Sequence, residues 1–409
     1  MKLWQKVVIG LVLGIFVGIV FKGEADFITS YVKPVGTVFI NLIKMVVVPL
    51  IFFSLVAGIT GMTDSQAFKR VGVKAVTAFL FTAMFAVCIG LFFGTVFKPG
   101  EGMVMPPPAE GSVAPTEAKK TNVVDVLVNM VPTNAINAMA TDHILQVVVF
   151  AIFVAVTMNM MGEQGKPLVE FCQRCAMLVF MMIKIVINFS PYGVFALTSW
   201  VVATQGLDVL KSLLYFMAVV AGSMVVQYVI FGILIAVFGR LSPMPFYRKM
   251  LEPQSIAFST SSSKATLATT MEVLQSRLGV SKNSTSFVLP LGASINMDGT
   301  AIYLGICALF FAQATGTVLH GHEYFLIILT STLASIGAAG IPGGSLIMMG
   351  MVFTTVGLPM EGIALIAGVD RLLDMLRTTI NITGDAAITL IIDRSEGKLD
   401  EKMYYSKDV

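Results

Sequence analysis

The sequence predicts an all-α polytopic membrane protein, and three observations carry that prediction. Hydrophobic residues make up 56% of the 409 positions and charged residues only 12%, about half the charged share of a soluble globular chain. Apolar runs of roughly 20 residues or more, long enough to cross a bilayer, recur from end to end. The last of them nevertheless carries Asp370, Asp374, Arg377, Asn381 and Asp385 at helical spacing, a polar stripe that lipid does not tolerate unless it faces protein, water or a ligand. Mean hydropathy is +0.85.

The first run, MKLWQKVVIGLVLGIFVGIVF, has early lysines like a secretory leader. It is too long for a leader's apolar core and no small-residue cleavage site follows, so it reads as a first transmembrane helix. Runs at 5–21, 35–62, 73–97, 123–162, 168–203 and 209–239 read as helices, several of them tilted or broken because they exceed a single span. Residues 99–122 include PPPAEGSVAPTEAKK; three successive prolines cannot be helix, so this is an exposed loop.

Lys2, Lys6, Lys69, Arg70, Lys74, Lys166, Arg174, Arg240, Arg248, Lys249, Arg394, Lys398 and Lys402 fall on one side if the spans alternate. That puts both termini in the cytoplasm of a cell's inner (plasma) membrane. The net charge of +3 says little about partners, and no basic cluster points to nucleic acid. Cys88, Cys172, Cys175 and Cys307 all sit in apolar stretches and read as packing residues.

The carboxy-terminal part is organised differently. SIAFSTSSSKATL (255–267) and ASIGAAGIPGGS (334–345) each interrupt an apolar stretch whose halves are too short to span. Each reads as a re-entrant hairpin, at 243–281 and 324–356, whose exposed backbone must line a cavity or pack on protein. Each is followed by a helix with buried polar groups, 283–314 and 361–393, so hairpin plus polar helix reads as an internal repeat. Paired interrupted segments of this kind point to a transporter's central site. In 283–314, Asn296 and Asp298 lie between Gly292 and Gly299. On a regular helix they would point about 160° apart; local unwinding would turn both inward and free carbonyl oxygens for a hard cation such as sodium. The five groups of the last helix fall within a sector of about 60–80°, along roughly 22 Å. They imply a binding site for a charged solute.

GASINMDGTAIY (292–303), the serine run, GAAGIPGGS, DRLLDMLRTTINITGD (370–385) and NLIKMVVVPLIFFSLVAGI (41–59) closely resemble the dicarboxylate/amino acid:cation symporter family. That family includes the excitatory amino-acid transporters and their prokaryotic homologues. The resemblance implies eight transmembrane helices plus two re-entrant hairpins in inverted repeats, a homotrimer embedded in lipid, and elevator transport. Scaffold helices would lie at 1–62 and 123–203. A transport domain would comprise 73–97, 209–240, the hairpins 243–281 and 324–356 (the second the gate), 283–314 and 361–393, with a cytoplasmic tail at 394–409.

By the same resemblance Arg377 pairs with the substrate's side-chain carboxylate and Asp374 with its ammonium group. Asn381, Thr300, Thr378, Ser262, Ser263, Gly340 and Ile341 complete the substrate site. One sodium site matches Gly292, Asn296, Asn381 and Asp385, and a second would use Ser294, Ser335, Ile336 and Ala338. The third keeps Thr82, Asn296 and Asp298, but Phe79 and Ala83 replace two hydroxyl ligands, so it is expected to be weak or absent.

The implied substrate is L-glutamate or L-aspartate, carried with sodium, with protons as the alternative. An arginine usual in the family is missing at Ser261 and Met375. Lys264 stands nearby, either as a substitute partner for Asp370 or Asp374, or as a tethered cation that reduces sodium dependence. Leu304 occupies the position of the mammalian proton-carrying glutamate, so mammalian-type proton cotransport is not expected. Three alternatives remain: a C4-dicarboxylate symporter of the same fold, an intramembrane aspartyl protease using Asp298 and Asp385, and a channel.

Overall fold

The computed structural model describes residues 3–60, 66–103, 128, 130–141, 143–206, 208–337, 344–360 and 362–406, and among these no strand occurs. The helices are α1 (Leu3–Val20), α2 (Lys33–Thr60), α3 (Gln66–Phe97), α4 (Ala135–Ala140), α5 (Ile144–Met160), α6 (Lys166–Asn188), α7 (Ser190–Gln205), α8 (Asp208–Val237) and α9 (Pro243–Lys249). They continue as α10 (Leu251–Thr260), α11 (Ser263–Ser276), α12 (Lys282–Ile295), α13 (Asp298–Ala314), α14 (Gly321–Gly337), α15 (Gly344–Val356), α16 (Gly362–Ser395) and α17 (Glu401–Tyr405).

Among the described residues, four stretches are long and apolar enough to cross a membrane: Ala25–Thr60, Arg70–Phe97, Leu210–Val237 and Lys282–Ala314. The pair α6–α7, bent by 46°, makes a fifth. This is a multi-pass membrane protein. The bend falls inside 168–203, one of the runs too long for a single straight span: Pro191 cannot donate a helical hydrogen bond, and it stands in the first turn of α7. The run 123–162 is not one helix. Among its described residues it divides into α4 and α5, with Asn134 capping α4 by accepting from the Asn137 amide at 3.0 Å. The loop 99–122 lies mostly outside the described residues.

Helix α13 is buried from Asp298 to Ala314 except at Gln313. A helix this apolar all round belongs in the centre of a bundle. It packs on α3, α8, α14, α15 and α16. Gly90 of α3 makes that approach possible: a Cβ there would stand 2.3 Å from the Ile302 carbonyl oxygen. Helix α16 in turn packs on α8, α10, α12 and α13, so its polar stripe faces protein. Helices α1, α2, α5, α6 and α7 pack chiefly among themselves.

The two interrupted segments are both helix–break–helix, with α10 packed on α11 and α14 on α15. The first break is short. Ser261 ends α10 in the left-handed region (φ 51°, ψ 41°), and Ser262 caps α11 by accepting from the Ala265 amide at 3.3 Å. Beneath it, Lys249 is buried, and its ammonium donates to the carbonyls of Arg277 (2.8 Å), Met403 (2.9 Å) and Tyr404 (3.0 Å). The carboxy-terminal tail is thereby fastened to the base of this segment.

Candidate functional site

Helix α12 stops at Ile295, Asn296 is extended (φ −107°, ψ 106°), and α13 begins at Asp298. The expected unwinding is present. It turns Asn296 and Asp298 into the interior beside α16, where both are fully buried. Asn296 Nδ2 donates to Asp385 Oδ1 at 2.9 Å, and the Gly299 amide donates to Asn381 Oδ1 at 2.8 Å. A Cβ on Gly292 would lie 2.6 Å from Asp385 Oδ1. Gly292, Asn296, Asn381 and Asp385 are thus brought together.

On the far side of Asn296, Thr82 Oγ1 lies 3.4 Å from Asn296 Oδ1, and Gln227 Nε2 donates to Asp298 Oδ2 at 3.4 Å. Among the described residues no basic side chain pairs with Asp298 or Asp385. A buried carboxylate left so is costly unless a cation or a proton neutralises it. No cluster of three His, Cys, Asp or Glu side chains occurs among the described residues. The side-chain acceptors grouped here, on Thr82, Asn296, Asp298 and Asp385, are oxygens, which suits a hard cation.

About one turn before Asn381 and two before Asp385 on α16 stands Arg377, fully buried and the centre of a second cluster. Its Nη1 donates to Asp370 Oδ1 at 2.7 Å, and its Nη2 to Ser345 Oγ at 2.7 Å and Asp374 Oδ1 at 3.0 Å. The Tyr303 ring lies under the guanidinium, 4.1 Å from its carbon, and the Tyr303 hydroxyl donates to Asp370 Oδ1 at 2.9 Å. Arg377 and Asp374 do not stand apart as opposed, separate charges; they touch. Yet Arg377 Nε and Asp374 Oδ2 are buried and make no hydrogen bond among the described residues. The guanidinium has five N–H donors and uses three here, so the cluster keeps donors for an anion and an acceptor for a cation.

The cation beside Asp374 is Arg371, not Lys264. Arg371 Nη1 lies 3.5 Å from Asp374 Oδ2, and its Nη2 donates to the Thr260 carbonyl at 3.4 Å, at the end of α10. Lys264 pairs with neither Asp370 nor Asp374; its ammonium lies 5.5 Å from the centre of the Phe180 ring in α6. The substitute-partner reading of Lys264 is therefore corrected: at the turn of α16 where it was needed, Arg371 already occupies the place.

The other expected residues distribute as follows. Ser263, Thr300 and Thr378 are buried, and Ser262 is half-buried at the first break. Ser294 Oγ donates to the Pro290 carbonyl at 2.9 Å and Ser335 Oγ to the Thr332 carbonyl at 2.7 Å, so each could offer a cation its carbonyl rather than its proton. Ile336 is in the last turn of α14. Ala338, Gly340 and Ile341 lie outside the described residues.

Sequence reasoning missed Ser345, Tyr303, Arg371 and Gln227. Signals existed for two: Arg371 stands three residues before Asp374, within reach on a helix, and Gln227 is an amide in the middle of an apolar run.

A sequence profile of the sodium:dicarboxylate symporter family matches residues 3–395. The chain belongs to that family. It is similar to the proton/sodium-glutamate symport protein of Bacillus caldotenax, 33% identical over 407 residues, covering 98% of this chain and 95% of that one. It is 34% identical over 408 residues to the C4-dicarboxylate transport protein of Rhodospirillum rubrum, covering 97% and 89%. It is 32% identical over 421 residues to the proton/glutamate-aspartate symporter of Escherichia coli (strain K12), covering 99% and 96%. The sodium:dicarboxylate symporters are secondary transporters, not enzymes, which removes the aspartyl protease from consideration.

Proposed function

We propose that this protein carries acidic amino acids, L-glutamate or L-aspartate, across an inner (plasma) membrane by symport with sodium, with protons as the alternative coupling ion. One observation carries the reading: a buried guanidinium and a buried carboxylate, Arg377 and Asp374, adjoin on one helix face and each keeps an atom without a hydrogen bond, Arg377 Nε and Asp374 Oδ2, the latter within ion-pair distance of Arg371. A carboxylate-bearing zwitterion satisfies both, its side-chain carboxylate on Arg377 and its ammonium on Asp374. A simple dicarboxylate leaves Asp374 facing a like charge. The names of the Bacillus caldotenax and Escherichia coli relatives favour the same substrate class. The Rhodospirillum rubrum relative keeps C4-dicarboxylates as the second reading.

Substrate contacts are assigned to Arg377, Asp374, Asn381, Thr300, Thr378, Ser262, Ser263, Gly340 and Ile341. Sodium is assigned to Gly292, Asn296, Asn381 and Asp385, and to the carbonyl set Ser294, Ser335, Ile336 and Ala338. The architecture is read as eight spans and two re-entrant hairpins in a homotrimer, with both termini cytoplasmic. The preference of α1, α2, α5, α6 and α7 for packing among themselves supports a scaffold at 1–62 and 123–203. The remainder would slide as an elevator, gated by 324–356. If cation binding favours gate closure, coupling is a linkage free energy. Lys264 is kept as a tethered cation that lowers sodium dependence.

The test is uptake of labelled L-aspartate into proteoliposomes under an inward sodium gradient, a pH gradient, or both, with succinate as competitor. Sodium-driven uptake that excess succinate does not displace is expected. Transport of succinate that aspartate cannot displace overturns the assignment.

A further inference from the structure

Three helices end at one place beneath the first interrupted segment, 243–281. Lys249 stands in the last turn of α9, Arg277 follows the last residue of α11, and Met403 and Tyr404 lie in the last turn of α17. Helix C-termini carry partial negative charge on their final carbonyls, so their convergence is unfavourable unless a cation stands among them. The buried Lys249 ammonium supplies that charge, donating to the Arg277, Met403 and Tyr404 carbonyls and to Ser406 Oγ at 2.8–3.3 Å.

The tail reaches both legs of the segment. On the first leg, the buried Tyr404 donates its hydroxyl to the Ser242 carbonyl at 2.7 Å, and the Ser242 amide donates to the Tyr405 hydroxyl at 3.2 Å. On the second, the Asp400 amide donates to the Gly279 carbonyl at 2.9 Å. That contact is backbone on backbone. Gly279 has φ 72°, and a Cβ there would stand 2.4 Å from the Asp400 carbonyl oxygen, so only glycine admits the tail this closely. Asp400 also caps α17, accepting from the Lys402 and Met403 amides, and Arg394 of α16 pairs with Glu401. The legs' own ion pair, Arg277 with Glu252 at 2.9 Å, is half-exposed and contributes little by comparison. A tail that needed only burial could lie on one leg; this one bridges two. Parting the legs strands either the ammonium or the carbonyls it serves, which makes their separation costly.

We propose that residues 400–406 form a clasp on the first interrupted segment, with Lys249 as its pin and positioning residue. The clasp holds the two legs together, so that this segment stays closed through transport and the site exchanges ligand only past 324–356. Without it, the segment opens while the gate is also open, and ions cross without substrate. The proposal rests on the symporter reading, and the experiment separates the two.

Full-length protein in proteoliposomes is loaded with radioactive sodium, and its release without substrate is followed beside aspartate uptake. Lys249→Met, which keeps the stem and loses the charge, releases sodium about tenfold or more faster than wild type as the closed state loses its advantage. The same variant carrying Glu252→Cys and Arg277→Cys, with Cys88, Cys172, Cys175 and Cys307 changed to alanine, is then cross-linked with a flexible bifunctional thiosulfonate. Joining the legs brings release back to within about threefold of wild type, and reduction restores the leak; a merely destabilised protein gains no such rescue. Should the methionine variant not fold, Tyr404→Phe with Tyr405→Phe carries the test: it keeps both rings, removes their bonds to Ser242, and speeds release about threefold or more. Wild-type release from whichever of these variants folds overturns the clasp, as does a leak that the cross-link leaves unchanged. If wild type carries no acidic amino acid but the variant leaks and the cross-link stops it, the substrate reading fails and the clasp stands.

Discussion

Asp374→Asn separates the two substrate classes found among the relatives. The cluster holds two carboxylates, Asp370 and Asp374, and two guanidiniums, Arg371 and Arg377, so its formal charge balances. The amide keeps one oxygen for Arg377 Nη2, now 3.0 Å from Asp374, and preserves the local shape. An aspartate ligand loses the charged partner of its ammonium group. A hydrogen bond to a charged group is worth about 1.5–3 kcal/mol, or roughly 10- to 150-fold in affinity. Succinate has no ammonium to lose. For its second carboxylate, removing a like charge about 6 Å away is worth about 3 kcal/mol at an effective dielectric constant of 20. The two effects have opposite signs, so the aspartate-to-succinate affinity ratio falls by about a hundredfold or more. Isothermal titration of both ligands at saturating sodium measures it. An aspartate affinity within threefold of wild type, with succinate unchanged, refutes the pairing of Asp374 with an ammonium group.

Arg377→Cys strands Asp370 and Asp374 in the interior; breaking a buried pair costs about 3–5 kcal/mol, so acidic amino-acid uptake falls at least a hundredfold while serine or alanine is admitted, which radiolabelled uptake reports. Gly292→Ala drives a methyl group to 2.6 Å from Asp385 Oδ1 and 2.9 Å from the Phe79 ring; the sodium midpoint rises about tenfold or more, as when a binding group is displaced, with little change in melting temperature. Lys264→Ser leaves aspartate affinity within about threefold because Arg371 faces Asp374; uptake with and without a sodium gradient then reports whether the lysine affects coupling, and unchanged sodium dependence ends that idea. Hydrogen bonds from Lys74 and then Arg70 hold the Glu396 carboxyl below the usual glutamate range. Its contribution is therefore present above about pH 4.3 and is lost as pH falls through the lowered native value. Glu396→Gln melts below wild type at pH 7, and the gap closes only under stronger acid.

The break in the helix of 283–314 was legible because Asn296 and Asp298 cannot share a helix face, and the glycines around them allow the chain to open. The α16 stripe was legible for the complementary reason: its spacing fits one face. What escaped was set by contacts distant in sequence. Whether Lys264 or Arg371 meets Asp374 depends on where the Thr260 carbonyl comes to rest, and no local pattern encodes that. Ser345 and Tyr303 belong to elements far from α16 in the chain, and only packing brings them to Asp370. The run 123–162 misled because its apolar content outweighed Pro132 and Asn134, whose turn and capping preferences divide it.

Lys249 has a consequence for biogenesis. Three of its acceptors are the carbonyls of Met403 and Tyr404 and the hydroxyl of Ser406, 154 to 157 residues further along the chain. At about 5–20 residues per second, the ribosome delivers them many seconds after position 249 has emerged. Until then that ammonium must be served by water or by neighbours, and the segment it underpins stays unsealed. Synthesis of residues 403–406 is thus the step that seals this part of the fold, and a ribosome stalled shortly before it would leave the seam beside α10 and α11 open to proteases.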